Sequence, residues 1–320
     1  MPEQDTDRPY IHVSELLSEK ASHLTLQLVA GKEGLAKKID FPKIQKPGLA
    51  LTGFTQYVRP GRVQILGESE LAFLRQFDQS RREQVLRQLC DVDIACFIIT
   101  RGQEPPPEII QEAERHQIPL MVTPFVTSVC IERVTAFLTD TLAPRTYMHG
   151  DLLDVFGLGV LLIGESSIGK SECALDLIVR GHRLISDDIV IIKRVTDTIL
   201  IGTAPDLIRY HMELRGLGVI NIKDLFGISA ISLSQKVELV VSLERWKPDV
   251  EYDRLGLEEN RHDVLGVDLP LIRMPVAPGR NIAILIEVAS RNYLLRAQGY
   301  NASKLLAQKI NEIAEGRIHK

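Results

Sequence analysis

The stretch Gly164-Glu165-Ser166-Ser167-Ile168-Gly169-Lys170-Ser171 decides the fold of the second half of this 320-residue chain. It matches the pattern G-x-x-x-x-G-K-[ST], in which the backbone N–H groups of a curled loop point at phosphate oxygens. An apolar run at residues 160–163 leads into it, and an amphipathic segment at residues 172–180 leads out of it. The pattern therefore predicts a strand, a phosphate-binding loop and a helix, in that order.

Each residue type in this loop has a chemical reason. Gly164 and Gly169 permit the turn and the close approach of a phosphate group. Lys170 can neutralise charge on the β- and γ-phosphates of ATP, and the Ser171 hydroxyl can ligate Mg²⁺. We therefore predict that the loop binds ATP together with Mg²⁺. The alternative is a chance match in a glycine-containing turn, and the flanking strand and helix count against it.

Two adjacent acids follow the predicted helix. Asp187 and Asp188 stand directly before an apolar run at residues 189–192. A carboxylate at such a strand end commonly holds Mg²⁺ or accepts a proton, so one acid can face the metal while the other faces an attacking hydroxyl. The alternative is a solvated turn with two surface acids. The short separation from Lys170 argues against a motor, a helicase or a Ras-like switch.

The composition of the chain excludes several other classes of protein. Hydrophobic residues make up 45% of the chain and charged residues 25%, and the formal net charge is −4. We find no basic block that would mark a nucleic-acid surface and no apolar run long enough to span a bilayer. The polar, acidic start of the chain is unlike a signal peptide, so we expect a cytoplasmic location. The four cysteines form no C-x-x-C pair, which predicts buried thiols without zinc or redox chemistry.

The periodicity of the remaining sequence predicts an α/β fold in two domains. Strand-like apolar runs alternate with helical segments in the first part, and a helix at residues 129–142 ends before Pro144. We place the domain boundary near this helix, giving an N-terminal α/β domain at residues 1–135 and a catalytic domain at residues 136–320.

Further elements are expected in the second domain. Apolar runs at residues 189–192, 237–243 and 282–288 are read as strands. A last helix is expected at residues 303–314, and it places Leu306, Ile310 and Ile313 on one face. This helix either packs on its own domain or contacts a partner or a neighbouring subunit.

A set of motifs spread along the chain resembles one protein family. In chain order they are Lys46-Pro47-Gly48-Leu49-Ala50-Leu51-Thr52-Gly53-Phe54, residues 62–67, Met148-His149-Gly150, the phosphate loop, Gly181-His182-Arg183, Asp187-Asp188, Glu213-Leu214-Arg215-Gly216-Leu217-Gly218-Val219-Ile220-Asn221-Ile222, residues 252–256, and Pro275-Val276-Ala277-Pro278-Gly279-Arg280. A phosphate loop alone is promiscuous, but this ordered set is specific. Over nearly all of its length the chain resembles the bacterial HPr kinase/phosphorylase family.

The resemblance implies a bifunctional enzyme. Members of this family use ATP to phosphorylate a serine of HPr, a carrier protein of the sugar phosphotransferase system. They also remove that phosphate with inorganic phosphate, which yields pyrophosphate. The implied fold is a P-loop kinase core akin to that of phosphoenolpyruvate carboxykinase, and the implied assembly is a homohexamer.

The resemblance also implies roles for individual residues. Asp188 matches the catalytic acid–base, and Lys170 matches the phosphate-binding lysine. Ser171 and Glu213 match the metal ligands, and their hard oxygen atoms suit Mg²⁺. The other matches are the catalytic residues His149 and Arg254, and the phosphorolysis loop Pro275, Val276, Ala277, Pro278, Gly279 and Arg280. In that loop the Arg280 guanidinium could hold inorganic phosphate.

Simpler interpretations accompany these assignments. His149 could be a hydrogen-bonded structural residue, Arg254 could pair with an acid, and Glu213 could be a solvated helix residue. A small-molecule kinase or carboxykinase-like enzyme on the same core is a second enzymatic reading, and a nucleotide-gated regulatory module is a non-enzymatic one. Ser167 stands where many relatives of the family have glycine, and a positive φ there would strain a serine.

Overall fold

The protein divides into two compact units, Met1–Ala143 and Pro144–Lys320. The computed structural model describes residues 9–246, 260–277 and 279–301, together with Leu305 and Glu312. Both units mix helices and strands, so the predicted α/β class in two domains is confirmed. Among these described residues, no helix is both long and apolar enough to cross a membrane.

The first unit is a four-stranded sheet with helices on both faces. Its order is β2-β6-β5-β4, in which β4, β5 and β6 run parallel and β2 is antiparallel. The elements are β1 (Ile11–His12), β2 (Gln27–Ala30), β3 (Lys38–Ile39), β4 (Val63–Leu66), α1 (Glu68–Arg75), α2 (Gln79–Cys90), β5 (Cys96–Ile99), α3 (Pro107–Arg115), β6 (Leu120–Val122) and α4 (Thr127–Thr141), with 3-10 turns at Val13–Leu17, Glu19–Leu24, Lys32–Ala36 and Ala50–Thr52.

Alternation along β5 explains why this sheet is buried on both sides. Phe97 and Ile99 belong to the core beneath α1, α2 and α3, whereas Cys96 and Ile98 belong to the core beneath α4. Successive side chains of a strand point to opposite faces, so a wholly apolar strand needs cover on each. The first unit continues to Ala143 because α4 packs into this second core, eight residues beyond the boundary placed from the sequence.

The second unit stacks two sheets and flanks them with helices. A six-stranded sheet has the order β10-β8-β9-β16-β18-β17, and a four-stranded sheet has the order β15-β12-β11-β7. The elements are β7 (Arg145–His149), β8 (Asp151–Val155), β9 (Leu158–Gly164), α5 (Lys170–Val179), β10 (Arg183–Ser186), β11 (Ile189–Thr196), β12 (Ile199–Thr203), β13 (His211–Leu214), β14 (Gly218–Asn221), α6 (Ile222–Phe226), β15 (Ser234–Lys236), β16 (Leu239–Arg245), β17 (Arg261–Val264), β18 (Val267–Val276) and α7 (Ile282–Ala297), with 3-10 turns at Asp206–Ile208 and Ile228–Ala230.

The larger sheet positions the phosphate loop. Strands β9, β16 and β18 run parallel, so their carboxyl ends meet at one edge. Gly164 at the end of β9 lies opposite Leu243 of β16, and the chain after Val276 leaves β18 at the same edge. Ligand sites of parallel sheets form at this edge, because the loops that leave the strands converge there.

One expected strand is a helix. The run at residues 282–288 was predicted as a strand, but it forms the first half of α7. The Asn281 side chain caps the helix by accepting a hydrogen bond from the Ile284 N–H at 2.9 Å. Ala283, Ile286 and Ser290 are its buried residues, and this spacing is helical. A short apolar run fits a strand and a buried helix equally well, so the prediction failed where periodicity is least informative.

Candidate active site

The phosphate loop joins β9 directly to α5. Gly164 closes the strand with φ +154°, and Gly169 precedes the helix with φ +98°. A Cβ atom on Gly164 would lie 2.6 Å from the backbone oxygen of Leu243, so only glycine fits between the neighbouring strands. The Lys170 ammonium donates to the carbonyl oxygens of Gly164 and Glu165, at 3.3 and 3.4 Å. The lysine charge therefore lies over the loop, beside the positive end of α5.

Ser167 adopts the left-handed conformation within this loop. Its φ of +70° is the positive value considered from the sequence, where glycine would be unstrained. The Ser167 hydroxyl accepts a hydrogen bond from the guanidinium of Arg215, in the turn between β13 and β14. This contact ties the phosphate loop to the segment that carries Glu213. The sequence assigned no individual role to Arg215, because its partner lies 48 residues away.

The acid pair bridges two strands of different sheets. Asp187 and Asp188 connect β10 of the large sheet to β11 of the small one, and Asp188 has φ +61°. The Asp188 N–H donates to Asp151 Oδ1 at 3.0 Å, and the Gly150 N–H donates to the Asp188 carbonyl oxygen at 2.9 Å. A Cβ atom on Gly150 would lie 2.4 Å from the backbone oxygen of Leu162 in β9. Only glycine therefore allows the chain to pass this close to β9 at the point where it contacts Asp188.

Asp187 faces the other way and joins the two predicted metal ligands. Its Oδ2 accepts a hydrogen bond from the Glu213 N–H at 3.1 Å, and its carboxyl group accepts one from the Ser171 hydroxyl. Asp187 is 5% exposed, and its Oδ1 is buried without a hydrogen-bond donor among the described residues. One buried acid therefore fixes the spacing between Ser171 and Glu213.

Several of the predicted site residues converge on one cavity. It has a volume of about 260 Å³, and its lining includes Lys170, Ser171, Asp187, Asp188, Glu213 and Arg215. Cationic, hydroxyl and carboxyl groups thus surround a space next to a helix N-terminus. This arrangement suits a phosphate group, a divalent cation and a proton acceptor together.

The oxygen atoms in this cavity fit Mg²⁺. Ser171 and Glu213 offer hard ligands, and the buried Asp187 Oδ1 leaves a carboxyl oxygen beside them. No group of three or more histidine, cysteine, aspartate or glutamate side chains forms a metal cluster in the described ranges. Mg²⁺ is commonly held by one or two protein ligands together with substrate phosphates and water, so a sparse ligand set is in keeping with it.

Asp151 is a site residue that the sequence analysis missed. It is wholly buried at the start of β8, and its carboxyl group hydrogen-bonds with that of Asp187. Burial raises the pKa of Asp151 to about 8, and the charge of Asp187 adds to the rise. Burial also raises the pKa of Asp187. Two carboxyl groups this close cannot both ionise easily, so the pair is expected to hold a proton near neutral pH. An acid at the start of a short strand that is otherwise apolar except for Asp154 was the available signal.

The remaining predicted residues lie around this centre or outside the described ranges. His149 ends β7 as the strand partner of Ile189, the residue after Asp188, and its side chain is exposed. Arg280 lines a neighbouring cavity of about 400 Å³, which shares Gly169 and Glu172 with the first. The Arg280 guanidinium donates to the Pro275 oxygen at 3.2 Å. Arg254, Pro278 and the helical face of Leu306, Ile310 and Ile313 lie outside the described residues.

These features define a class of protein. A glycine-bounded loop between a parallel strand and a helix, a lysine over that loop and an acid lining the same cavity are the parts of a P-loop phosphotransferase. Comparison with known proteins gives the family. The model for the HPr Serine kinase N terminus matches residues 11–138, and the model for the HPr Serine kinase C-terminal domain matches residues 140–310.

Individual relatives agree with these matches. The chain is 47% identical over 298 residues to the HPr kinase/phosphorylase of Geobacter sulfurreducens, with 93% of each chain covered. It is 42% identical over 305 residues to the HPr kinase/phosphorylase of Leptospira biflexa, with 95% of this chain and 94% of that one covered. A solved structure of the Hpr(Ser) kinase/phosphatase from Coxiella burnetii is 36% identical and covers 50% of this chain and 98% of its own, with a TM-score of 0.46.

The chain belongs to the HPr serine kinase family. The resemblance inferred from its motifs is thereby confirmed, and so is its classification as an enzyme of the kinase class. Membership of a kinase family implies ATP as the phosphoryl donor.

Proposed function

We propose that this chain phosphorylates a serine of an HPr-type carrier protein with ATP, and that it reverses the modification by phosphorolysis. The observation that carries the proposal is the single cavity in which Lys170, Ser171, Asp188 and Glu213 meet. Phosphoryl transfer needs positioned positive charge at the phosphates and a base at the attacking hydroxyl, and this cavity offers both. The names of the relatives supply the identity of the acceptor.

In the kinase direction, Asp188 acts as the base. Its carboxylate accepts the proton of the serine hydroxyl while the serine oxygen bonds to the γ-phosphorus of ATP. The bond from that phosphorus to the bridging oxygen breaks, and ADP leaves. Lys170 and the backbone N–H groups of the loop stabilise the charge on the phosphate oxygens, and Mg²⁺ held by Ser171 and Glu213 would neutralise part of it.

In phosphorolysis the same groups run the step backward. An oxygen of inorganic phosphate bonds to the phosphorus of phosphoserine, the bond to the serine oxygen breaks, and Asp188 returns the proton to that oxygen. Pyrophosphate leaves. The position of Arg280 supports a role in holding the incoming phosphate, because its cavity adjoins the phosphate loop at Gly169. By their match to the family motifs, His149 and Arg254 are the further catalytic residues of the proposal.

Transfer assays test this function. The protein is incubated with γ-labelled ATP and purified HPr, and the label is sought on an HPr serine by mass spectrometry. Seryl-phosphorylated HPr is then incubated with inorganic phosphate, and pyrophosphate is measured. We expect label on HPr in the first assay and phosphate-dependent pyrophosphate in the second. Label only on a small metabolite would favour a small-molecule kinase, and nucleotide binding without any transfer would favour a regulatory module.

A further inference from the structure

Asp151 is a buried acid that the proposed chemistry does not use. It opens β8 and is 0% exposed, in a strand whose five residues are all buried. Its side chain is not part of the lining of the reaction cavity. A carboxyl group is costly to place in such surroundings, so its contacts must explain its presence.

The first contact of Asp151 is with the backbone of the proposed acid–base. Asp151 Oδ1 accepts the Asp188 N–H at 3.0 Å, and Gly150, the residue before it, donates its N–H to the Asp188 carbonyl oxygen at 2.9 Å. The junction between β7 and β8 therefore hydrogen-bonds both the N–H and the carbonyl oxygen of Asp188. Asp188 has φ +61°, a conformation that is uncommon for residues other than glycine. Such a conformation persists only where its surroundings enforce it.

The second contact of Asp151 extends to the other groups of the site. Asp151 Oδ2 and Asp187 Oδ1 are both buried, and apart from the contact between the two carboxyl groups they have no hydrogen-bond partner in the described part of the chain. Asp187 in turn receives hydrogen bonds from the Glu213 N–H and the Ser171 hydroxyl. Asp151 is thus in contact with both acids of the pair while it stays behind the cavity wall.

Asp154 shows what a structural acid on the same strand looks like. It is 3% exposed, its Oδ1 accepts the Gly157 N–H at 2.7 Å, and its Oδ2 pairs with the Arg183 guanidinium. These contacts stabilise the β8–β9 turn and link β10 to β8, and none of them involves a residue that lines the reaction cavity. Asp151 has the same residue type, strand and burial, but its bonds end on Asp188 and Asp187.

We propose that Asp151 is a positioning residue, which holds the backbone of Asp188 in the left-handed conformation that aims its carboxylate into the reaction cavity. This inference rests on the proposed role of Asp188 as the acid–base. Only an acceptor oxygen at the place of Oδ1 is required, so asparagine can replace Asp151, whereas alanine cannot. Loss of the acceptor should misplace the base without disturbing the loop that binds the nucleotide.

The test compares three variants of the full-length protein. Asp151→Ala should lower kcat for HPr phosphorylation about 10- to 100-fold while the KM for ATP changes less than about twofold, because a misplacement of about 1 Å can cost this much. Asp151→Asn should keep kcat within about threefold of the wild type. Asp154→Ala is the matched control, and it should lower the thermal unfolding temperature while kcat stays within about twofold.

Several results would overturn this inference. They are an unchanged kcat in Asp151→Ala, an equal loss in Asp151→Asn, and an equal loss in Asp154→Ala. Crystal structures of the two Asp151 variants give a reading that does not need activity, since Asp188 should keep its positive φ in the asparagine variant and lose it in the alanine variant. An inactive wild-type protein would contradict the proposed function alone, and these structures would still decide the role of Asp151.

Discussion

Glu108 in the first unit and the Asp151–Asp187 pair in the second unit are buried acids in opposite kinds of surroundings. In the first unit, Glu108 of α3 is 5% exposed and receives a hydrogen bond from Arg82 Nε at 2.9 Å. Burial alone would raise the pKa of Glu108, but the hydrogen bond and the charge of Arg82 outweigh it and lower that pKa. In the second unit, burial raises the pKa of both Asp151 and Asp187, and the charge of Asp187 adds to the rise at Asp151.

The difference separates acids that stabilise the fold from acids that belong to the candidate active site. The pairing of Glu108 with Arg82 links α3 to α2 and stabilises their packing. Acids packed against each other cost stability, and this cost is typical of functional sites, where pKa values are shifted for chemistry. We therefore expect activity and stability to separate. Loss of the acids that line the reaction cavity should reduce catalysis, and changes at Glu108 should reduce stability.

The largest expected effect is at Asp188. Asp188→Asn keeps the shape of the side chain but removes its titratable group, so both the kinase and the phosphorylase rates should fall by about two to four decades. ATP binding, measured by calorimetry, should survive. Arg280→Ala is the contrasting variant, since it should reduce phosphorolysis more than kinase activity. Loss of only one direction in Asp188→Asn, or equal losses in Arg280→Ala, would contradict this division of roles.

The next effect is at Lys170. Lys170→Ala removes the charge that lies over the phosphate loop, and electrostatic contacts of this kind are commonly worth roughly 3–4 kcal/mol, or two to three decades in rate. The kinase rate at saturating ATP measures the loss. The urea-induced unfolding of the first unit should stay unchanged, because Lys170 belongs to the second unit. Near-normal turnover in this variant would refute the assignment of the phosphate loop.

A smaller effect is expected at Glu213. Glu213→Gln should raise the Mg²⁺ or Mn²⁺ concentration needed for half-maximal kinase activity by about tenfold, because a hard anionic ligand becomes a neutral amide. A titration of activity against metal concentration measures the shift. If the metal requirement is unchanged, Glu213 is a structural residue that only donates its N–H to Asp187.

The smallest effects are on stability, and they should have opposite signs at Glu108 and at Asp151. Glu108→Gln should lower the free energy of unfolding by about 1–3 kcal/mol, because it weakens a charged hydrogen bond to Arg82. The folded pKa of Glu108 lies below its unfolded value, so its contribution is present above the unfolded pKa and is lost as the pH falls through the folded pKa. Urea unfolding across acidic pH measures this loss.

Asp151→Asn should instead raise stability. The folded state binds the Asp151 proton more tightly than the unfolded state, so wild-type stability should fall as the pH rises from the unfolded pKa toward about 8. A neutral asparagine removes this loss, and the variant should be more stable at pH 8 by on the order of 1 kcal/mol. Urea unfolding without divalent metal or nucleotide measures it. A variant less stable than the wild type at pH 8 would contradict the inference that Asp151, unlike Glu108, lowers the stability of the folded state.

The sequence alone determined the parts of the site whose requirements are local. The phosphate loop is one contiguous segment with glycines at fixed positions, and the acids follow it after a single helix, so the pattern predicts the strand, the loop and the helix. The α/β class followed from the periodicity of the first unit for the same reason. The helical state of residues 282–288 could not be predicted from the sequence, because a short apolar segment has no periodicity that separates a strand from a buried helix.

Only the tertiary structure decided which distant residues support this loop. Asp151 meets the Asp188 N–H across 37 residues, and Arg215 meets the Ser167 hydroxyl across 48. Neither pairing has a periodicity or a motif, since each depends on how β8 and β13 are placed by the packing of the whole second unit. A local sequence pattern reflects the backbone conformation that a segment requires. Which distant side chains contact that segment is determined by the tertiary fold.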